Sequence, residues 1–595
     1  KKSMFSQIIL TYNNVIMRKY LSLIVYGGLF AVPFVPFLVS SSLFFPFITT
    51  KVFAWRVIVE VVFAAWVLLA LVDPEARPKK SPVLYAIGAF LLLIGLADLL
   101  GVAPLKSFWS NFERMEGYIS LLHLGAFFLV ISSFFREQNW RQWWNTTLAA
   151  SFVMVGYSVF QLLGVFTINQ GGVRVDGTFG NAIYLAVYML FNIFIALLMM
   201  LREWKHTSKR WVYGSLIVLQ FIILYFTATR GAILGLLGGL LILAILNVRN
   251  KEQVALRRVS VGLIVGLVVV VGGFLAMRNT ELVQNSPVLN RFATLNLSEL
   301  KTQGRYFVWP MAWEGFKDRP ILGWGQENFS YVFQEHYRPE MYALEPWFDR
   351  AHNIFLDWMV AGGLLGLLAY LSLYATSLYL IWKRGEFSRI EKSVLTALIA
   401  AYFFHSFFVF DHLTSYVLFF SLLAYVHSRS ATSLLWQATL SENRLKMVAL
   451  PVVAILLFST LYFVNWRPLQ GNTAVIGALK ALQTPGADKQ AIEFFEKAYE
   501  SAHLGRTEVV EQMISGSLPI LSGSLSTEEK NAFYAFMKQA VLEQGQSLDN
   551  DTRHHLLSGS FYSSVGGLDE ALMHLEKAKE LMPQKQQIYF EIGEV

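Results

Sequence analysis

Residues 352–371 read HNIFLDWMVAGGLLGLLAYL, a histidine and an asparagine opening a run in which Asp357 is the one acidic side chain. Apolar residues continue to about 382, and at 1.5 Å per helical residue such a run crosses a hydrocarbon core of ~30 Å. Similar runs recur along the whole chain. Hydrophobic residues make up 55% of its 595 residues and charged residues only 15%, against about 25% in soluble domains. Mean hydropathy is +0.46. The expected fold class is all-α, a polytopic membrane protein rather than a string of soluble domains.

Thirteen such runs are expected, near 20–43, 52–72, 83–101, 117–135, 147–168, 182–201, 211–227, 231–247, 259–277, 353–382, 393–410, 413–428 and 447–465. The first is too long and too rich in proline for a cleaved signal peptide. Alternate loops are basic: Lys1, Lys2, Arg18 and Lys19, then Arg77, Lys79 and Lys80, then Arg136 and Arg141. The pattern continues with Arg202, Lys205, Lys209 and Arg210, with Arg249, Lys251, Arg257 and Arg258, with Lys383, Arg384, Arg389 and Lys392, and with Arg429, Arg444 and Lys446. By the positive-inside rule this face and the N-terminus are cytoplasmic. An odd number of spans then puts the C-terminal segment outside. Basic clusters confined to membrane loops also argue against nucleic-acid binding, which the overall charge of +8 would otherwise suggest.

Two domains are expected, a transmembrane domain over 1–465, with a large outer loop at 278–351, and a helical domain over 466–595. The second holds 11 Lys+Arg against 17 Asp+Glu, net −6, leaving 38 against 24, net +14, for the first. In the tail, Ala491, Ile492, Phe494, Phe495, Ala498 and Tyr499 recur at helical spacing, as do Leu568, Ala571, Leu572, Leu575, Ala578 and Leu581. The second stretch, between Gly566-Gly567 and Pro583, resembles a tetratricopeptide repeat. The chain has no cysteine, which excludes disulfides, thiolate metal sites and cysteine nucleophiles.

Charge at membrane depth costs about 2.5–3.5 kcal/mol per group, so each such group wants a reason. Arg230, in TATRGA (227–232), fits an anion ligand beside hydroxyls and a glycine, and equally a turn residue whose guanidinium reaches water. In the outer loop, GRYFVW (304–309) carries Arg305, and GWGQENF (323–329) carries Gln326; alone they also fit an amphipathic interfacial helix with Trp anchors. His352 at the mouth of a span serves either chemistry or a helix end. Arg56 and Glu60, one turn apart in the second span, are expected to pair. Arg114 is expected to form a local charge network with Glu113 and Glu116.

TATRGA, GRYFVW with GWGQENF, and HNIFLDWMVAGGLLGLLAYL, in that order and separated by one long outer loop, resemble the O-antigen ligase and polymerase superfamily over roughly residues 170–430. Residues 173–181, VRVDGTFGN, look like that superfamily's outer loop ahead of a span and bring Arg174 and Asn181. The resemblance implies a metal-independent, inverting glycosyltransferase of the broader GT-C type in a bacterial cytoplasmic membrane, using a glycan linked to polyprenyl diphosphate as donor and no cofactor. It implies that Arg230 and Arg305 bind the donor pyrophosphate and that His352 is the catalytic base. Arg174, Asn181, Arg114, Gln326, Asn353 and Asp411 are supporting candidates. Physical chemistry agrees, since two guanidiniums neutralise a departing diphosphate without a metal, and nearby cations keep an imidazole neutral. The first outer loop, Phe44 to Lys51, lacks the acidic residues that a metal-dependent branch would want, and Asp411-His412 is too sparse for a metal centre.

The helical tail departs from that superfamily and suggests a protein acceptor or partner, the concave face of such repeats being suited to peptides. The expected activity is therefore ligase-like, transfer to an acceptor glycan or a protein hydroxyl. The alternatives are a polysaccharide polymerase and, from another class, a lipid-linked glycan transporter or a non-catalytic scaffold.

Overall fold

The computed structural model describes residues 2–250, 254–294 and 303–595, so Lys1 and Lys251 of the basic loops lie outside the described residues. Those residues form helices and no strand, with one isolated backbone bridge between Lys79 and Leu434. The first nine long helices are α1 (Lys2–Ala31), α2 (Pro46–Val72), α3 (Pro82–Leu99), α4 (Tyr118–Phe134), α5 (Glu137–Leu162), α6 (Ala182–Arg202), α7 (Thr207–Phe226), α8 (Arg230–Val248) and α9 (Val254–Met277). The outer loop contributes α10 (Gly304–Asp318) and α11 (Phe329–Glu335), and α12 (Ile354–Tyr379), α13 (Arg389–Ser406), α14 (Leu413–Ser428) and α15 (Leu450–Thr460) return to apolar sequence. Every one of the thirteen expected runs falls on a helix. Among the described residues nine helices are long and apolar enough to cross a membrane; α4 and α14 are apolar but shorter. Helices α5 and α13 begin with polar turns, as α5 shows by opening at Glu137, ten residues ahead of the expected run.

α6 is buried along almost its whole length and anchors the core. In contrast, α9 buries only Ser260, and α15 buries nothing. Helices that are apolar all round yet exposed within the fold belong against lipid. α8 packs on α13 through a glycine ladder: a Cβ on Gly235 would lie 2.7 Å from the Ala401 carbonyl oxygen, and one on Gly239 2.8 Å from that of Ala397. Small residues four apart let two backbones approach closely. This contact fixes the start of α8, where Arg230 stands.

Three expectations change. The first run ends at Phe37 rather than Leu43, because Pro33 and Pro36 turn it into a short 3₁₀ stretch, Val32–Phe37. Arg56 and Glu60 do not pair. The Arg56 guanidinium donates to the Met115 carbonyl (3.1 Å) and Ser120 Oγ (2.8 Å), while Glu60 faces His123 Nε2 (2.9 Å) and accepts from Asn465 Nδ2 (2.8 Å). Third, α12 is not one straight span. It breaks at Gly363, whose φ is +60°.

The break is filled by the outer loop. Trp324 and Gly325 donate backbone hydrogen bonds to the carbonyls of Val360 and Ala361 (both 2.9 Å), and Leu364 donates to that of Pro320 (2.8 Å). Unwound backbone at membrane depth persists only where protein satisfies its polar groups, and GWGQENF does so here. A Cβ on Gly323, itself at φ +68°, would collide with the Val360 carbonyl. Gly323→Ala is therefore expected to destabilise by roughly 2–5 kcal/mol, from left-handed strain plus overpacking. Gly171→Ala, at φ +80° with nothing within 4 Å, carries the strain alone. Thermal unfolding in detergent should separate the two variants clearly; equal losses would show that the close approach does not matter.

The tail comprises α16 (Arg467–Leu482), α17 (Asp488–Ser501), α18 (Arg506–Ser522), α19 (Thr527–Leu548), α20 (Thr552–Ser564), α21 (Leu568–Leu581) and α22 (Gln586–Glu594), stacked as helical hairpins. No break separates it from the last apolar helix, since Leu445–Leu482 runs continuously for 38 residues through the expected boundary. It lies against the loops that carry the candidate site. Glu508 accepts from the Phe112 amide (2.5 Å), Gln334 Oε1 from the Thr552 amide (2.8 Å), and Lys585 Nζ donates to the Pro346 carbonyl (2.9 Å).

Candidate active site

The turn between α7 and α8 is held by Arg174, whose guanidinium donates to the Thr227 carbonyl (3.0 Å) and Thr229 Oγ1 (3.3 Å). Ala228 in that turn has φ +49°, so the chain reverses tightly and delivers Arg230 as the first residue of α8. Arg305 arrives from the other side. Gly304 packs on the Phe348 ring, where a Cβ would sit 2.6 Å from Cζ, and Trp309 Nε1 donates to the Ala351 carbonyl (3.0 Å). One turn of α10 is thereby tied to the residue preceding His352. The charges form a chain: Arg174 and Arg305 both feel Arg230, and His352 feels Arg305. Burial and the neighbouring Arg230 both push Arg305 below its usual value. A guanidinium does not lose its proton near neutrality, so burial and the like charge of Arg230 raise the cost of this cation without discharging it.

His352 has φ +57°, a backbone conformation that side chains other than glycine adopt rarely and that clusters at working sites. Its Nδ1 faces the Arg350 carbonyl oxygen at 3.2 Å. That oxygen only accepts, so in the neutral ring Nδ1 carries the hydrogen and Nε2 keeps the lone pair. Burial lowers the imidazole's affinity for a second proton; Asp349 opposes this, and Arg305 and Arg114 reinforce it, leaving the ring below its ordinary value. Near neutrality the balance of these effects favours the uncharged ring, with Nε2 as its basic atom.

A second layer holds that geometry. Arg114 forks onto Asp349 (Nε–Oδ2 2.8 Å, Nη2–Oδ1 3.2 Å) and holds that carboxyl well below the usual carboxylate range against the effect of burial. Arg350 bridges Glu116 (3.0 Å) and Glu327. The Phe410 ring lies under Arg114 (5.0 Å) and Arg350 (5.4 Å) and meets the His352 ring edge-on at 5.3 Å. The expected local network of Arg114 with Glu113 and Glu116 is thus corrected in part. Glu113 stays beside Arg114 (3.2 Å), Glu116 goes to Arg350, and the strong partner is Asp349, 235 residues away.

The remaining supporting candidates serve the scaffold. Asn353 caps α12, accepting from the Phe355 (3.0 Å) and Leu356 (3.3 Å) amides, and Asn181 caps α6, accepting from that of Ile183 (2.8 Å). Gln326 donates its backbone N–H to Asp98 (2.6 Å) and its side-chain N–H to the Glu116 carbonyl. Asp411 gathers the Tyr370 (2.9 Å), Tyr402 and Ser415 (3.1 Å) hydroxyls, and His412 Nδ1 caps α14 by accepting from the Ser415 amide (3.1 Å). The two therefore do not converge as metal ligands. Among the described residues one group has metal-ligand spacing, the surface trio Asp318, Glu335 and His336. It lies at the end of α10 opposite Arg305.

Sequence reasoning missed Asp349, Arg350, Glu327, Phe410 and Arg291, whose charge also reaches Arg174. The only available signal was an acid-base pair immediately ahead of His352, at the mouth of a span.

These features define a polytopic helical membrane protein with clustered guanidiniums beside one neutral histidine. The O-antigen ligase family model matches residues 215–371, a stretch that contains Arg230, Arg305 and His352. The match supports a place in the O-antigen ligase superfamily and points to glycosyl transfer of the ligase kind. No curated protein matches the chain.

Proposed function

We propose that the protein transfers a glycan from a polyprenyl diphosphate carrier to an acceptor hydroxyl on the face opposite the basic loops, without a metal. The observation that carries this reading is the chain of guanidiniums Arg174, Arg230 and Arg305 ending at a histidine whose Nε2 is the free base. The acceptor oxygen attacks the anomeric carbon while Nε2 takes the hydroxyl proton. The bond to the diphosphate oxygen breaks on the opposite side, and the anomeric centre inverts. The leaving diphosphate gains negative charge as the bond lengthens, and Arg230 and Arg305 stabilise it through forked hydrogen bonds. Protonated His352 then returns its proton to solvent.

The acceptor is a protein or a glycan presented by a protein. Supporting this, the tail is docked on the 104–117 segment that carries Arg114 and on the outer loop that leads to His352, and its first helix is continuous with the last apolar helix. The test uses purified enzyme, carrier-linked glycan and candidate acceptors, with products read by mass spectrometry. Transfer should need the acceptor and survive excess chelator. Lengthening of the carrier-linked glycan without acceptor would identify a polymerase instead, and activity lost to chelator and restored by a divalent ion would overturn the metal-free step.

A further inference from the structure

At the ends of α3, α4 and α14 away from His352 the fold forms a polar cavity of about 140 Å³, well above the ~10–15 Å³ that admits one water. Arg77, Lys79, Arg136, Arg429, Ser133 and Trp140 line it. It is separated from His352 by the length of α14, ~24 Å at 1.5 Å per residue. Residues 429–440 fold back over residues 77–80 to wall it, with the Lys80 amide donating to the Ser433 carbonyl (2.8 Å) and the Leu435 amide to that of Pro78 (2.8 Å).

The lining is a set of donors. Arg77 is 1% exposed and donates Nε to the Ala70 carbonyl (2.8 Å) and Nη1 to that of Gln437 (2.6 Å), yet its buried Nη2 has no partner among the described residues. The same holds for Arg429 Nε, Ser133 Oγ and Trp140 Nε1. Buried donors of this kind are rare and costly, and four around one cavity ask for an acceptor. Four cations line the space; Glu137 is taken by Arg429 (3.0 Å) and Glu75 by Arg136 (3.5 Å), which leaves Arg77 and Lys79 with no carboxylate partner among the described residues. The adjoining larger cavity differs, because its arginines cancel in pairs: Arg141 with Glu203 (2.6 Å) and Arg202 with Glu391 (2.6 Å).

We propose that this cavity is a binding site for a phosphate oxyanion, with Arg77 as its buried anchor and Lys79 and Arg136 at its mouth. Its place at the ends of three apolar helices, on the face of the basic loops, is the depth of phospholipid headgroups, and basic pockets between membrane helices suit anionic lipids. The same donors also fit a free phosphate ion.

The test takes the full chain in detergent and titrates phosphatidylglycerol, phosphatidylcholine or inorganic phosphate, reading bound mass by native mass spectrometry and the unfolding temperature. Saturable binding of phosphatidylglycerol but not phosphatidylcholine would establish the lipid source. Stabilisation by inorganic phosphate without phosphatidylglycerol binding would establish the soluble one. Arg77→Gln removes the anchor but also two wall contacts, so the deciding variant is K79Q/R136Q, which leaves Arg77 in place. It gives up only the half-exposed contacts of Arg136 with the Ser133 (3.4 Å) and Glu75 (2.9 Å) carbonyls and with the Glu75 carboxylate, so its unliganded unfolding temperature should change little, and it should weaken binding at least about ten-fold. Equal binding of both lipids, binding unchanged in K79Q/R136Q, or no saturable binding of any probe would overturn the site.

Discussion

His352→Ala is expected to leave donor binding intact and to lower the rate of transfer by about 10²- to 10⁴-fold, the usual contribution of a positioned general base. The imidazole is one of the few side chains in the site able to take a proton near neutrality, because the guanidiniums around it only donate. The Asp349 carboxylate is committed to Arg114, which holds it far below neutrality. A direct binding assay with carrier-linked glycan, set beside single-turnover transfer, separates the two steps, and a variant that lost both equally would place the histidine in binding. The pH profile supplies a second readout. The proposed mechanism requires the neutral ring, whose proton affinity is depressed by burial and by Arg305, so the acid limb of kcat/KM should lie below the ordinary histidine range. Asp349 works the other way, raising that affinity. Asp349→Asn removes its charge and frees the Arg114 cation, two effects of one sign, and should move the acid limb to still lower pH.

Arg305→Ala should cost about 10²–10³ in kcat, the scale seen when one donor to a developing anion is removed. On the proposed mechanism the interaction strengthens as negative charge gathers on the leaving diphosphate, so the loss should fall mainly on kcat, with a smaller rise in KM. Arg305→Lys keeps the charge and loses the fork, and should fall between wild type and alanine. Because Arg305 also lowers the proton affinity of His352, Arg305→Ala should shift the acid limb of the pH profile upward. A purely structural residue would not produce that paired change. Arg230→Ala should resemble it in rate, with the double variant costing less than the two single losses added, since both guanidiniums serve one anion. Wild-type kcat in Arg305→Ala would remove the electrostatic account of leaving-group departure.

The matched stretch, residues 215–371, contains three separated segments, and the fold positions each of them differently. Arg230 is placed by a glycine ladder between α8 and α13, Arg305 by the bond from Trp309 to Ala351, and His352 by the Asn353 cap and a left-handed backbone angle. Asn353 and Asn181 enter as supporting candidates because the segments that carry them resemble those of the superfamily. The fold spends them on helix starts, where backbone amides lack partners. Arg56 and Glu60 mislead because spacing along one helix permits a pair but cannot weigh the offers of Ser120, His123 and Asn465 from other helices.

What the amino-acid sequence determined by itself was whatever depends on local periodicity and on the cost of charge in hydrocarbon: the helical class, the apolar runs, the asymmetry of basic loops, and Arg230, Arg305 and His352 as the groups to watch. Only the tertiary structure decided that α12 breaks at Gly363 to receive GWGQENF, that Asp349 and Arg350 flank the histidine while Phe410 meets its edge and Glu116 holds Arg350, and that the tail rests on the same loops. Those outcomes are set by which backbone and side-chain groups find partners across large separations in the chain, and such pairings leave no periodic trace in the order of residues.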